Sequence, residues 1–173
     1  WFSYTPECAK SAGAEVLLVL NGSPFHLGKQ QQRFNTLRAN VTRYRMPVVY
    51  ANLVGGQDEL VFDGGSFVLD GDGKLVANAP YFEESMLLVN VIDGVPQPSP
   101  VIAEPGEEAL AYSALVLGVR DYLGKNGFPS AIIGLSGGVD SALTLAIAVD
   151  ALGAERVRAV MMPSQFRLPM SLD

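Results

Sequence analysis

The chain has 173 residues, 49% apolar and 17% charged, a balance that excludes a disordered segment, a coiled coil and a collagen. Twelve basic against 18 acidic side chains give a net charge of −6, which offers no electrostatic footprint for nucleic acid. A single cysteine excludes an internal disulfide and fits a reducing, cytoplasmic setting. The longest apolar runs, such as Val16–Leu20, fall far short of the ~20 residues that span a bilayer, so no membrane partner is expected.

Thr5-Pro6-Glu7 opens a helix that Gly13 closes. Glu15–Leu20 reads as a buried strand, broken by Asn21-Gly22-Ser23-Pro24. The spacing of Phe34, Leu37 and Val41 predicts a helix over Gln30–Tyr44, with Arg33, Arg38, Arg43 and Arg45 outward. Pro47 starts a strand, Val48–Asn52, and Gly55-Gly56 reads as a turn. Glu59–Phe62 and Ser66–Leu69 are strands around Asp63-Gly64-Gly65. The run Asp70–Gly73 turns tightly into Lys74–Ala77, and Met86–Ile92 is a further strand. Residues 14–92 therefore read as a layered α/β segment dominated by strands.

Asp93–Glu107 holds four prolines and two glycines in fifteen residues, which predicts an extended linker between domains. An amphipathic helix, Glu107–Asn126, follows, with Tyr112, Leu115, Val116, Val119 and Leu123 as its apolar stripe. Strand Ala131–Leu135, the run Ser136–Ser141, helix Ala142–Leu152 and strand Val157–Met162 form a βαβ unit with parallel strands. A parallel sheet needs cover on both faces. One helix and one crossover cannot supply it, so the domain is expected to continue past Asp173. The chain starts at Trp1 without a visible leader and is expected to begin inside a longer protein as well.

The strongest chemical signal is Ser136-Gly137-Gly138-Val139-Asp140-Ser141 between a buried strand and a helix. Paired glycines let the backbone curl close to a ligand. The N–H groups and dipole at the helix start favour an anion. Ser136 and Ser141 add hydroxyl donors. Asp140 would repel a phosphate unless a divalent cation sat between them, and Mg²⁺ is commonly held by a carboxylate and phosphate oxygens together. The run lacks the Lys of G-x-x-x-x-G-K-[ST] and does not fit G-x-G-x-x-G. An ordinary strand–helix turn of small residues is the bland alternative.

S-G-G-x-D-S after a strand resembles the PP-loop of the N-type ATP pyrophosphatases. The wider run KNGFPSAIIGLSGGVDSALTLAIAVDALGAERVRAVMMPS, Lys125–Ser164, resembles NAD⁺ synthetase. The earlier segments AGAEVLLVLNGSPFHLGK and NLVGGQDELVFDGGSFVLDGDG resemble the nitrilase-like glutaminase domain of the glutamine-dependent NAD⁺ synthetases, and the domain order is the same. The resemblance implies an α/β fold in two pieces. Residues 1–94 would be the C-terminal half of a nitrilase-like αββα sandwich, 95–107 a proline-rich linker, and 108–173 the start of a doubly wound PP-loop domain.

The implied reaction is amidation of deamido-NAD⁺ to NAD⁺ with ATP, Mg²⁺ and glutamine, in a soluble homo-oligomer. ATP would be held by Gly134, Leu135, Ser136, Gly137, Gly138, Val139, Asp140 and Ser141, with Met162 beside the adenine. Asp140 would be the metal ligand. Ser23 and Lys29 match family positions that hold glutamine, and an ammonium with a hydroxyl suits an α-carboxylate. Trp1 resembles the last residue of the family's C-E-D-x-W run. That places the nucleophilic Cys, with the Glu and Lys of its triad, upstream of Trp1 and leaves no catalytic glutaminase residue in this chain. Gln165–Pro169 departs from the family's Ser/Thr-bearing loop. Another amide-forming PP-loop ligase and a non-catalytic fragment remain as alternatives.

Four features are read as structural. Cys8 is expected to be buried and inert on its short helix, because no base is placed beside it. His26 lacks partner ligands for a metal. Asp58, Glu59 and Asp63 are expected to be solvated or structural. Met161 is expected to be plain core.

Overall fold

The computed structural model describes residues 4–161. In chain order they form α1 (Tyr4–Ser11), β1 (Leu17–Asn21), α2 (Lys29–Tyr44), β2 (Val48–Asn52), β3 (Val54–Gln57), β4 (Leu60–Asp63), β5 (Phe67–Leu69) and β6 (Leu75–Asn78). There follow β7 (Val91–Ile92), β8 (Val95–Pro96), α3 (Glu107–Lys125), β9 (Ala131–Leu135), α4 (Val139–Leu152) and β10 (Val157–Met161).

The main sheet runs β1-β2-β5-β6. β1 and β2 pair in parallel, and β5 pairs antiparallel with both β2 and β6. Its centre is β5, where Phe67, Val68 and Leu69 have no exposed surface. Strand alternation sends Phe67 and Leu69 to one face, where they meet Leu37 and Val41 of α2 with Val48 and Tyr50. The Phe67 ring lies edge-on to Phe34 and stacked on Tyr50. Val68 points the other way, onto Val76, Ala77, Leu87 and Val89.

Met86–Ile92 was expected to be a strand, but only Val91–Ile92 is one, paired with β8. Residues 86–90 alternate as a strand does, with Leu87 and Val89 inward and Met86 and Leu88 exposed, yet they join no ladder. Packing without backbone pairing explains a pattern that misleads at this position.

Gly55-Gly56, expected as a turn, lies inside β3 of the β3–β4 hairpin. The turn is Asp58-Glu59, with Asp58 left-handed at φ 50°. The glycines serve a close approach: a Cβ on Gly56 would stand 3.2 Å from Cα of Gly118 in α3. Here α3 docks on the hairpin. Its buried face is Leu110, Ala114 and Leu117, packed with Phe82, Phe25, Val54, Val61 and Tyr81. The expected stripe is therefore rotated, and Leu115 is exposed. Asp121 Oδ2 accepts the Gly56 N–H at 2.7 Å, and Lys125 Nζ donates to the Gly56 carbonyl.

The proline-rich segment is extended and pinned. The Asn78 side chain exchanges two hydrogen bonds with the Ile102 backbone, and Ser99 N donates to the Val76 carbonyl. Beyond α3, β9 and β10 pair in parallel as expected, and α4 packs against both strands and against α3. No helix among the described residues is long and apolar enough to cross a membrane.

The Gly56–Gly118 approach generates a stability prediction. Gly56→Val forces α3 off the hairpin and costs roughly 1–3 kcal/mol, read as a lowered urea midpoint of the intact protein. An unchanged midpoint would contradict the docking described.

Candidate functional site

Two places hold the residues singled out in the sequence. The first is a cavity of about 200 Å³ between the sheet and α2, lined by Val19, Asn21, Ser23, Lys29, Gln32, Arg33, Thr36, Leu37 and Tyr50. Ser23 and Lys29, both half-buried, thus line one cavity. Larger cavities exist: one of about 440 Å³ lies along β1 and α2, and it is lined almost wholly by apolar side chains. Ser23 and Lys29 line the smaller one, which also holds Asn21, Gln32 and Arg33.

Ser23 sits in the coil after β1 and has no strand partner. It is fixed instead by Arg33, which donates from Nη2 to the Ser23 carbonyl at 2.8 Å and from Nε to Ser23 Oγ at 3.2 Å. Ser23 N donates to Asn52 Oδ1 at 2.9 Å.

Arg33 was expected to point outward. It is buried with Gln30, Leu37 and Val41 on the inner face of α2, and forms a two-pronged ion pair with buried Asp63 at 2.8 Å per prong. The remaining Nη1 proton goes to Gln30 Oε1 at 3.0 Å, while Gln30 Nε2 donates to the Gly65 carbonyl. The signal was present in the sequence, because residues 30, 33, 37 and 41 share one helical face and two of them, Leu37 and Val41, are apolar. An arginine charge hides that face from a reading by hydropathy. Asp63 has the structural role expected of it, whereas Asp58 and Glu59 are exposed in the hairpin turn.

Beside this network Tyr81 lies against Gly65, with its hydroxyl pushed up to about 12. Burial is the main cause, and the Glu104 and Asp63 carboxylates add to it against Gln30 and Arg33. Tyr81 therefore stays a neutral hydrogen-bonding group throughout the physiological range.

The second place is the turn Ser136–Ser141 between β9 and α4. Gly137 adopts φ 80°, open to glycine at little cost. Gly138 caps α4 with no side-chain hydrogen bond, so the first turn of the helix presents its N–H groups to the curl. Ser141 Oγ ties the curl together: it donates to the Gly138 carbonyl at 2.9 Å and accepts from Ser136 N at 3.2 Å. Ser136 Oγ stands 3.1 Å away. Gly134 and Leu135 end β9 beneath the curl, and Val139 is 79% exposed at the helix start. Asp140 lies exposed in the first turn. Among the described residues no group of three metal-ligating side chains occurs. Asp140 thus supplies one hard oxygen donor next to an anion cradle, a set that fits a Mg²⁺ completed by phosphate oxygens and water. Trp1, Met162, Ser164 and Gln165–Pro169 lie outside the described residues.

Cys8 was expected to be buried and is exposed. The short α1 buries Pro6 and half-buries Ala9, three positions on, which turns Cys8 to solvent. His26 is exposed, with Nδ1 2.8 Å from the Leu27 carbonyl. Met161, expected in the core, is 49% exposed at the end of β10.

Residues 1–94 match the carbon–nitrogen hydrolase family and residues 111–172 the NAD synthase family. The glutamine-dependent NAD(+) synthetase of Rhodobacter capsulatus is 45% identical over the whole chain, which covers 32% of that relative. The solved glutamine-dependent NAD+ synthetase of Acinetobacter baumannii, in complex with ADP, superposes with a TM-score of 0.92 at 42% identity. That match covers 97% of this chain and 32% of the other. The corresponding structure from Cytophaga hutchinsonii gives 0.64 at 26% identity, covering 84% and 25%. The chain spans about a third of the length of the curated relatives it matches.

The exposure of Cys8 gives a direct check. A maleimide should label Cys8 in the folded protein within roughly tenfold of its rate in the urea-unfolded chain. Protection of many hundredfold would restore the buried placement.

Proposed function

Because the chain belongs to the carbon–nitrogen hydrolase family through residues 1–94, we propose that this part holds glutamine for hydrolysis while the part after the linker activates a carboxyl group with ATP. The proposed units are 1–94, a linker at 95–107, and 108–173. The proposed reaction converts deamido-NAD⁺, ATP and glutamine with water to NAD⁺, AMP, diphosphate and glutamate. The observation that carries it is the order, in one chain, of a carbon–nitrogen hydrolase segment and a strand–SGGVDS–helix turn with free helical N–H groups.

In this reading the backbone N–H groups of Gly137–Ser141 bind the phosphates, and the Ser136 and Ser141 hydroxyls turn from their contacts within the curl to donate to them. Gly134 and Leu135 set the floor beneath them, Val139 flanks the helix start, and Met162 contacts the adenine. The deamido-NAD⁺ carboxylate attacks the α-phosphorus of ATP, which breaks the α–β bond and releases diphosphate. Preorganised N–H donors stabilise the charge that develops on that leaving group. Mg²⁺, held at Asp140, would neutralise the same charge when bound. Ammonia then displaces AMP from the acyl adenylate and the amide forms. The ammonia comes from glutamine, whose α-carboxylate meets the Lys29 ammonium and the Ser23 hydroxyl. The proposed setting is that of a soluble cytoplasmic homo-oligomer, the single cysteine fitting a reducing compartment.

Two substitutions in the intact protein separate the halves. Asp140→Ala should abolish NAD⁺ formation, by at least about a hundredfold, with either glutamine or ammonium as nitrogen donor. Full activity would remove the metal role. Lys29→Ala should raise the glutamine KM about tenfold or more, while ammonium-dependent synthesis holds. An equal fall of both activities would make Lys29 structural.

A further inference from the structure

Among the described residues, the ion pair with both side chains buried is Arg33–Asp63. Such a pair is weak evidence for stability, because apolar groups of like volume often do as well. Its remaining donors are more informative. A guanidinium has five N–H donors and no acceptor, and here each has a partner. Two reach Asp63 and one reaches Gln30 Oε1. The other two reach Ser23, on its carbonyl and on its hydroxyl oxygen.

The last of these fixes a direction. Arg33 Nε always carries its hydrogen, so Ser23 Oγ accepts there. The one hydroxyl hydrogen of Ser23 must then point elsewhere, and Ser23 lines the cavity that Lys29 also lines. An ammonium is a donor only. With Arg33 on its acceptor side, the Ser23 hydroxyl is free to donate toward the space that the Lys29 ammonium also faces. The Ser23 backbone has no strand partner to hold it in place, and its N–H and carbonyl are taken by Asn52 and Arg33.

We propose that Arg33, locked on Asp63, is the positioning residue that makes the Ser23 hydroxyl a hydrogen-bond donor to the α-carboxylate of glutamine. The proposal rests on the reading of Ser23 and Lys29 as glutamine-holding residues. It adds that selectivity for a carboxylate over a neutral group at that end is set by a side chain that lines the same cavity but has all five of its N–H donors engaged within the protein.

The test uses the intact protein, with glutamine-dependent NAD⁺ formation measured beside the ammonium-dependent rate as a check on the folded ATP domain. Ser23→Ala should raise the glutamine KM about tenfold with kcat changed less than about twofold. Arg33→Lys keeps a charge on Asp63 but loses the fork and the Nε donor, and should raise KM similarly. The double variant S23A/R33K should be no worse than the poorer single variant by more than about twofold, because both act through one hydroxyl. The preference for glutamine over its α-carboxamide should fall in R33K by about the same factor as in S23A.

Should R33K not fold, Arg33→Met with Asp63→Leu replaces the pair by apolar groups and is expected to give the same KM rise and lost preference. Multiplying effects in the double variant, or a lower kcat with KM and preference intact, would make Arg33 merely structural and overturn the proposal while the glutamine reading stands. An unchanged KM in S23A would overturn the reading of Ser23 and the proposal with it.

Discussion

The arrangement depends on a buried charge that has to be paired. Arg33 enters from α2, Asp63 from the end of β4, and Ser23 from the coil after β1, and none of these segments shares a strand ladder with another. Removing one member of such a pair strands the other away from water, at a cost of about 3–5 kcal/mol. The pair and its hydrogen bonds therefore tie helix, hairpin and loop together at one point. Asp63 also passes the constraint on through its carbonyl, which accepts the Phe82 N–H at 2.9 Å. Phe82 in turn packs against Leu110 and Leu117 of α3.

From there α3 acts as a shared wall. One face lies on the β3–β4 hairpin through the Gly56–Gly118 approach and the Asp121 hydrogen bond. Another meets α4, where the Tyr112 hydroxyl donates to Asp150 at 2.6 Å. α4 is the helix whose N-terminus forms the anion cradle. The cavity at Ser23 and the turn at Ser136–Ser141 are thus joined by a chain of contacts: Ser23, Arg33, Asp63, Phe82, α3 and α4. The segment before α3 is tied down at Ser99 and Ile102, which keeps α3 from swinging freely on a loose tether.

Much of this was legible in the sequence. Most strand runs and the strand-to-helix turn at SGGVDS read correctly because they depend on local chemistry: apolar runs, paired glycines and a helix start. The errors have a common cause. Arg33, Gly55-Gly56 and the stripe of α3 were each assigned from their own neighbours, and each is decided by a distant partner. Arg33 is inward because Asp63 waits there, thirty residues on. Gly56 is a glycine because α3 presses on it, and the inner face of α3 is set by the hairpin it meets. Residues 86–90 show the converse, a strand-like alternation satisfied by packing alone. Local pattern reports what a segment can bury, and the partner decides which side is buried.

In the proposed function, the turn at Ser136–Ser141 serves to activate a carboxyl group by splitting ATP between its α and β phosphates. The most direct measurement follows the oxygen. With deamido-NAD⁺ labelled by ¹⁸O in its nicotinate carboxylate, turnover by the intact protein should place one labelled oxygen in the AMP released and none in the diphosphate. Label in inorganic phosphate, with ADP as co-product, would contradict the account.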